Sequence, residues 1–251
     1  MEIIKNVIRE KIRRRVLYVV SMVGLLILLL FSTGTGTITI GGKSITDYGI
    51  LVPVLVNIIG FISQALAIVL SIGTIPNEYE RKTSHLIWVR GIKQYKYHML
   101  LAMGNATVSI LSAFIMYAGL VLFSSIHGYE EIYKRVVPSF CIIVVNVVFI
   151  STLTSVLSIV LPIFVNGIIM TVVLIVGTFH GTLELAGSVL TGIASVLVRV
   201  ILWIVPDLNS IEKQAGNVIA GRAVDTHAVL VGLLTIYVVS IFFYVFKKRE
   251  A

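Results

Sequence analysis

Charge is what this sequence has least of. Only 13% of its residues are Asp, Glu, Lys or Arg, about half the share of an ordinary soluble domain, while 57% are apolar. That imbalance excludes a soluble globular chain and indicates an integral membrane protein. Cysteine is almost missing. The single Cys141 cannot form an internal disulfide, and its apolar neighbours predict a buried, inert thiol. There is no long linker, no low-complexity tail and no visible internal repeat.

Catalytic and ligand-binding patterns are equally scarce. The stretch Gly34–Ser44 ends in Gly42-Lys43-Ser44 like a phosphate-binding loop, but Thr37 stands where that loop needs its first glycine. It reads instead as a short β-hairpin turning at Gly41-Gly42, on the outer side. His85, His98, His127, His180 and His227 are scattered, none with a second ligand at metal-site spacing, so no metal is expected. His180 reads as a packing histidine. No nucleophile elbow or paired acidic motif is present, and the chain is not expected to be an enzyme.

What is present is a series of long apolar runs. A helix needs about 20 apolar residues to cross the hydrocarbon core. Val16–Phe31, Ile50–Ile75, Met99–Ile126 and Ala228–Phe246 each supply one such run. Val136–Leu183, uncharged throughout, supplies two, with a break expected at Leu161-Pro162 and Asn166-Gly167. The expected fold is therefore all-α, with six transmembrane helices in a domain over 16–251. Residues 1–15 come before it. There Ile4, Val7, Ile8 and Ile12 alternate at helical spacing with Lys5, Arg9 and Arg13, predicting an amphipathic helix on the membrane surface. The long basic region and the lack of a small-x-small site fit a cleavable signal peptide poorly.

The net charge of +8 does not indicate nucleic acid, because the cations sit at the ends of apolar runs, where anionic lipids attract them. With the N-terminus in the cytoplasm, the inner side receives the basic residues before the first run, those between the second and third, and Lys247, Lys248 and Arg249. That is 14 of the 20 Lys and Arg residues. Both termini and the 77–98 connector are thus expected inside a multi-pass cell-membrane protein.

A seventh crossing would export the basic tail, so 184–206 is read as a re-entrant hairpin before the last helix, turning at Thr191-Gly192 and shielded by protein. Glu184 and Arg199 lie equally far from that turn. Either they pair across the hairpin or each snorkels to water. Gly177 and Gly181 have the spacing for close helix approach. Asn57, Gln64, Asn146 and Asn166 fall within or beside apolar runs. They either line a translocation path or bond between helices.

The connector is the most polar part of the chain. Asn77 and Glu80 have capping-box spacing, and Pro76 is expected to end the preceding span. An interfacial helix there would offer Tyr79, Leu86, Ile87, Trp88, Val89 and Ile92, ringed by Arg90, Lys93 and Lys96. Trp, Tyr and Arg are residues that anchor protein interfaces, so this helix could dock a soluble partner.

Within it, Glu78, Glu80, Thr83, Leu86, Ile87 and Lys93 follow an order of acidic pair, threonine, apolar pair and basic position. In this the sequence resembles the permease subunit of ABC type-2 exporters, although Lys82 stands where that family usually has glycine. The layout resembles that family over the whole chain. The resemblance implies that 77–98 is a coupling helix seated in a separate ATPase, with Glu78, Glu80 and Thr83 shaping it. It implies an extracytoplasmic gate around Gly192 and ATP with Mg on the partner alone. It also implies a second permease chain, identical or a sibling, and alternating access driven by nucleotide. The short outer loops suggest a small amphipathic cargo such as a drug or peptide. A nucleotide-independent carrier and a non-transporting assembly factor are the competing readings.

Overall fold

The structure is a computed structural model, which describes residues 2–13, 15, 18–19, 22, 24, 26, 39–40, 43–44, 48–81, 91–126, 128 and 132–246. Apart from one minimal hairpin, its described elements are helical. Helix α1 (Glu2–Arg13) places Val7 against the bundle. Strand β1 (Thr39–Ile40) pairs antiparallel with β2 (Lys43–Ser44), leaving two residues between them as the Gly-Gly pair predicts. Then follow α2 (Tyr48–Ser71), α3 (Thr74–Glu80), α4 (Gln94–Ile126), α5 (Tyr133–Val160), α6 (Ile163–Thr178), α7 (His180–Val189), α8 (Ile193–Ile204), α9 (Leu208–Ile219) and α10 (Thr226–Val245).

Four helical stretches among the described residues are long and apolar enough to cross a bilayer: Leu51–Glu80, Gln94–Ile126, Tyr133–Val160 and Thr226–Val245. Two bent pairs, α6 with α7 and α8 with α9, raise the number to six if each is one span. This is the make-up of an all-α membrane protein. The expected first span, Val16–Phe31, lies almost wholly outside the described residues. Tyr18, Val19, Met22, Gly24 and Leu26 are helical, and Gly24 approaches Met116 of α4.

Helix α5 is the hub, packing against α2, α4, α9 and α10. Its inward face is built from small polar residues, including Ser139, Ser151, Thr154, Ser155 and Ser158, all fully buried. Such residues let helices approach closely, and their hydroxyls can return to the backbone of their own helix. Thr154 Oγ1 donates to Ile150 O at 2.7 Å and Ser158 Oγ to Ser155 O at 2.7 Å. Others bridge helices. Ser71 and Ser151 hydroxyls meet at 2.8 Å. Thr74 Oγ1 donates to Asn105 Oδ1 at 2.8 Å, and Asn105 Nδ2 donates on to Ser155 Oγ at 3.2 Å.

Several sequence expectations are corrected. Pro76 does not stop the second span. It sits in the first turn of α3, where a missing N–H costs nothing, and the apolar helix continues to Glu80 after a short break at Ile72–Gly73. Asn77 is accordingly inside a helix whose N-cap is Gly73, so no capping box forms there. The break between the fourth and fifth runs falls at Leu161-Pro162, as predicted, but Asn166-Gly167 continues α6. Asn166 Nδ2 instead donates to Thr154 O across the break, at 3.0 Å. The fifth run does not continue straight to Leu183, because the chain bends by 73° at Phe179. Cys141 is exposed on the flank of α5 rather than buried.

The largest difference is α9, in a stretch to which the sequence reading assigned no element. Leu208, Ile211, Glu212, Ala215, Gly216 and Ile219 are all buried, at helical intervals that form one stripe. Asp207 caps the helix through Oδ1, which accepts from Ser210 N at 3.0 Å. Gly221, at φ 70°, terminates it in the left-handed region.

The docking of α1 gives a first prediction. A Cβ on Gly104 would lie 2.9 Å from both Cβ and Cγ1 of Val7. Because Val7 Cβ cannot swing aside, Gly104→Leu should lift α1 off α4. Cleavage of the N-terminal segment by trypsin should then accelerate at least about tenfold, the response to roughly 1.4 kcal/mol of lost docking. Cleavage at the parent rate would refute the contact.

Candidate functional site

Gln64, Asn57 and Asn146, three polar residues singled out in the sequence, converge on α9. Asn57 and Gln64 lie two turns apart on α2, with Gly60 between them. Gly60 and Gly216 lie where α2 and α9 face each other. A Cβ on Gly60 would stand 3.6 Å from Glu212 Oε1, and one on Gly216 3.5 Å from Asn57 Oδ1. Gln64 Nε2 donates to Glu212 Oε1 and to Gly60 O, both partners being buried. Asn146 Nδ2 donates to Leu208 O at 2.9 Å, tying α5 to the first turn of α9. Ser139 Oγ donates to Ala215 O at 3.0 Å and lies 3.2 Å from the hydroxyl of Tyr117.

The arrangement is a polar seam along α9 with Glu212 at its centre. Glu212 is only 2% exposed. No lysine or arginine pairs with it among the described residues. Its bonded neighbour is the Gln64 amide. Asn57 Oδ1, Gln64 Oε1 and Asn146 Oδ1 are buried acceptors without a hydrogen-bond donor. Gln64 and Asn146 thus bond between helices, while Asn57 Oδ1 lies beside α9 without a donor. Glu212 itself was missed. The signal was its position in the apolar stripe of a twelve-residue helix, a segment too short to register as a span.

A second set of contacts ties the ends of the 77–98 connector together. Residues 77–80 belong to α3 and residues 94–98 to α4, while Gly91 adopts φ 73° near the far end; residues 82–90, on which the expected interfacial helix centres, lie outside the described residues. Thr83, Leu86, Ile87, Trp88 and Arg90 lie outside the described residues. Tyr97 OH donates to Glu78 Oε2 at 2.8 Å. Gln94 Nε2 donates to Tyr79 OH at 2.8 Å, and Tyr79 OH lies 2.7 Å from His98 Nε2. Tyr97 and His98 are buried while Glu80 and Lys93 are exposed. Arg81 pairs with Glu10 of α1 at 2.9 Å. The aromatic brace, which the sequence reading did not foresee, crosses 15 to 19 positions of sequence.

The predicted hairpin is present. Helices α7 and α8 pack on each other about Gly192, whose φ is 71°. His180 Nε2 lies 3.2 Å from Leu202 O, and Ser195 Oγ donates to Gly187 O at 3.3 Å. That register places Glu184 and Arg199 at similar heights, yet both are exposed and no ion pair joins them. The pairing alternative is therefore corrected: both charges lie on the outer surface of the hairpin, where water or lipid head groups can solvate them. Gly177 does mediate a close approach, since a Cβ there would lie 2.7 Å from Leu208 Cδ1, whereas one on Gly181 would make only ordinary contact with Asn209, 3.7 Å away. Among the described residues, no three His, Cys, Asp or Glu side chains converge where a metal could sit.

The described residues thus form a predominantly helical protein with four to six candidate spans among them, a helical hairpin and a polar seam along a buried helix. No family model matches the chain, and no curated protein matches it.

Proposed function

We propose that this chain is the membrane-embedded permease subunit of an ATP-driven exporter of small amphipathic molecules, with its connector turned to the cytoplasm and engaged by a separate ATPase. The motif Glu78, Glu80, Thr83, Leu86, Ile87 and Lys93 suggests this reading. One structural observation supports it most: the brace of Tyr97 to Glu78 and Tyr79 to His98 and Gln94. Through that brace, a load on the connector would reach α3 and α4 together. Arg81 and Glu10 would extend the load to α1. The hairpin about Gly192 would then gate the opposite side, and two permease chains, identical or sibling, would enclose the path with two ATPases.

The test is affinity purification of the tagged chain from its native membranes. The preparation should carry a nucleotide-hydrolysing subunit. Glu80→Lys and Leu86→Asp should each reduce its recovery at least about tenfold, the loss expected from an interface anchor. Tyr97→Phe should retain the partner but lower cargo-stimulated ATP hydrolysis. Undiminished recovery after replacing the whole 78–97 segment by a Gly/Ser linker would overturn the reading. A nucleotide-independent carrier is favoured by one observation, the buried carboxylate of Glu212, since ionisable groups inside a bundle often mark ion paths. Cargo efflux from vesicles holding the chain alone would select that alternative.

A further inference from the structure

A cavity of about 300 Å³ opens between the first turn of α9 and the N-terminal half of α10, at the lower end of the size range of small-molecule sites. Its floor is Asn146, fully buried, whose Oδ1 has no donor. Asp207 stands at its side. The body of the cavity is apolar, lined by Phe149, Ile211, Ala228 and Val231.

The balance of donors and acceptors here is lopsided. Ser210 Oγ donates to Asp207 O at 3.0 Å and Thr235 Oγ1 to Val231 O at 2.8 Å, so both hydroxyl protons are used by the backbone. One Asn146 amide proton goes to Leu208 O. What borders the space is the Asp207 carboxylate, of which Oδ1 alone caps α9. No lysine or arginine lines the cavity among the described residues, and His227 is exposed at its mouth. A helix N-terminus by itself would attract an anion, but Asp207 already holds that place and repels a second negative charge.

We infer that this cavity binds a small molecule that carries a protonated primary or secondary amine on an apolar body. The ammonium donates to Asp207, and the apolar part lies along α10. This site stands whether or not an ATPase drives the chain.

The experiment is equilibrium dialysis of the purified full chain in phosphatidylcholine nanodiscs, with empty nanodiscs subtracted. The probes are tritiated 3-phenylpropylamine, 3-phenylpropanol and 3-phenylpropanesulfonate, which share one body and differ in the head. The amine should bind saturably and about tenfold more tightly than the alcohol, as a charge-assisted hydrogen bond predicts. Asp207→Asn, which keeps a capping side chain, should abolish that preference without moving the melting temperature. Equal binding of amine and alcohol, tighter binding of the sulfonate, or a preference that survives Asp207→Asn would each overturn the inference. An ammonium head could also belong to a lipid. Loss of probe binding in nanodiscs containing phosphatidylethanolamine would assign the site to the lipid head group, and unchanged binding would assign it to a free amine.

Discussion

Replacing Gln64 with leucine should lower the stability of the bundle by about 3 kcal/mol, even though it adds an apolar side chain to a buried site. The reason is Glu212. An ordinary hydrogen bond between helices in a membrane contributes only about 0.6 kcal/mol, too little to predict a large effect. Gln64 does more, because its Nε2 is the donor that a 2%-exposed carboxylate has at hand. Removing it leaves a buried charged or polar group without compensation, and that penalty is several times larger than the bond itself.

The complementary substitution separates the two effects. Glu212→Gln keeps an acceptor for Gln64 and removes the carboxylate, so stability should hold or rise. The double variant Gln64→Leu with Glu212→Leu should recover most of the loss, as apolar replacement of buried polar pairs often does. Thermal and detergent-induced unfolding of the four proteins provides the measurement. A Gln64→Leu variant with parent stability would show that the carboxylate is solvated by other means.

Gly232→Leu should be comparably damaging, for a steric reason. A Cβ at this position would fall 2.5 Å from Ile211 Cδ1 and 3.0 Å from Val145 Cγ1. Helix α10 has few other anchors, with only Gly232, Val239 and Phe243 buried along its length. Overpacking typically costs about 1–3 kcal/mol when neighbours can shift. A full isobutyl group at the crossing of α5, α9 and α10 should reach the upper end and loosen α10.

Alanine should be milder, since the nearest atom is the movable tip of Ile211. The decisive variant is Gly232→Leu with Ile211→Ala, which removes that tip and should restore at least half of the lost thermal stability. If the second substitution brings no rescue, the close approach of α9 and α10 is not what Gly232 provides.

Much of the fold could be read along the chain. Mean hydropathy over about 20 residues depends on nothing but local sequence, so the spans beginning at Tyr48, Gln94, Tyr133 and Thr226 were within a few residues of expectation. Leu161-Pro162 and Gly192 mark turns by their own backbone preferences, and both act as breaks. Gly41-Gly42 predicts the hairpin for the same reason. The places where the reading failed share a cause. Pro76 was taken as a stop because its effect depends on whether it falls in a helix interior or a first turn, which the chain alone does not say. Glu184 and Arg199 were matched in height correctly but not in facing, because the height follows from counting residues and the facing from how α7 and α8 rotate against each other.

The site was less legible than the fold. Asn57, Gln64 and Asn146 stood out as polar residues in apolar runs, yet nothing nearby in sequence says that all three meet α9. Gln64 and Glu212 are separated by 148 positions. Their bond exists because α2 and α9 pack against each other in the folded bundle. The amino-acid order by itself determined the long apolar helices and the turns at Leu161-Pro162 and Gly192, since those depend on backbone torsion and on the local count of apolar residues. Tertiary structure alone decided which polar groups share a partner, because burial obliges distant donors and acceptors to satisfy one another only after the helices have packed.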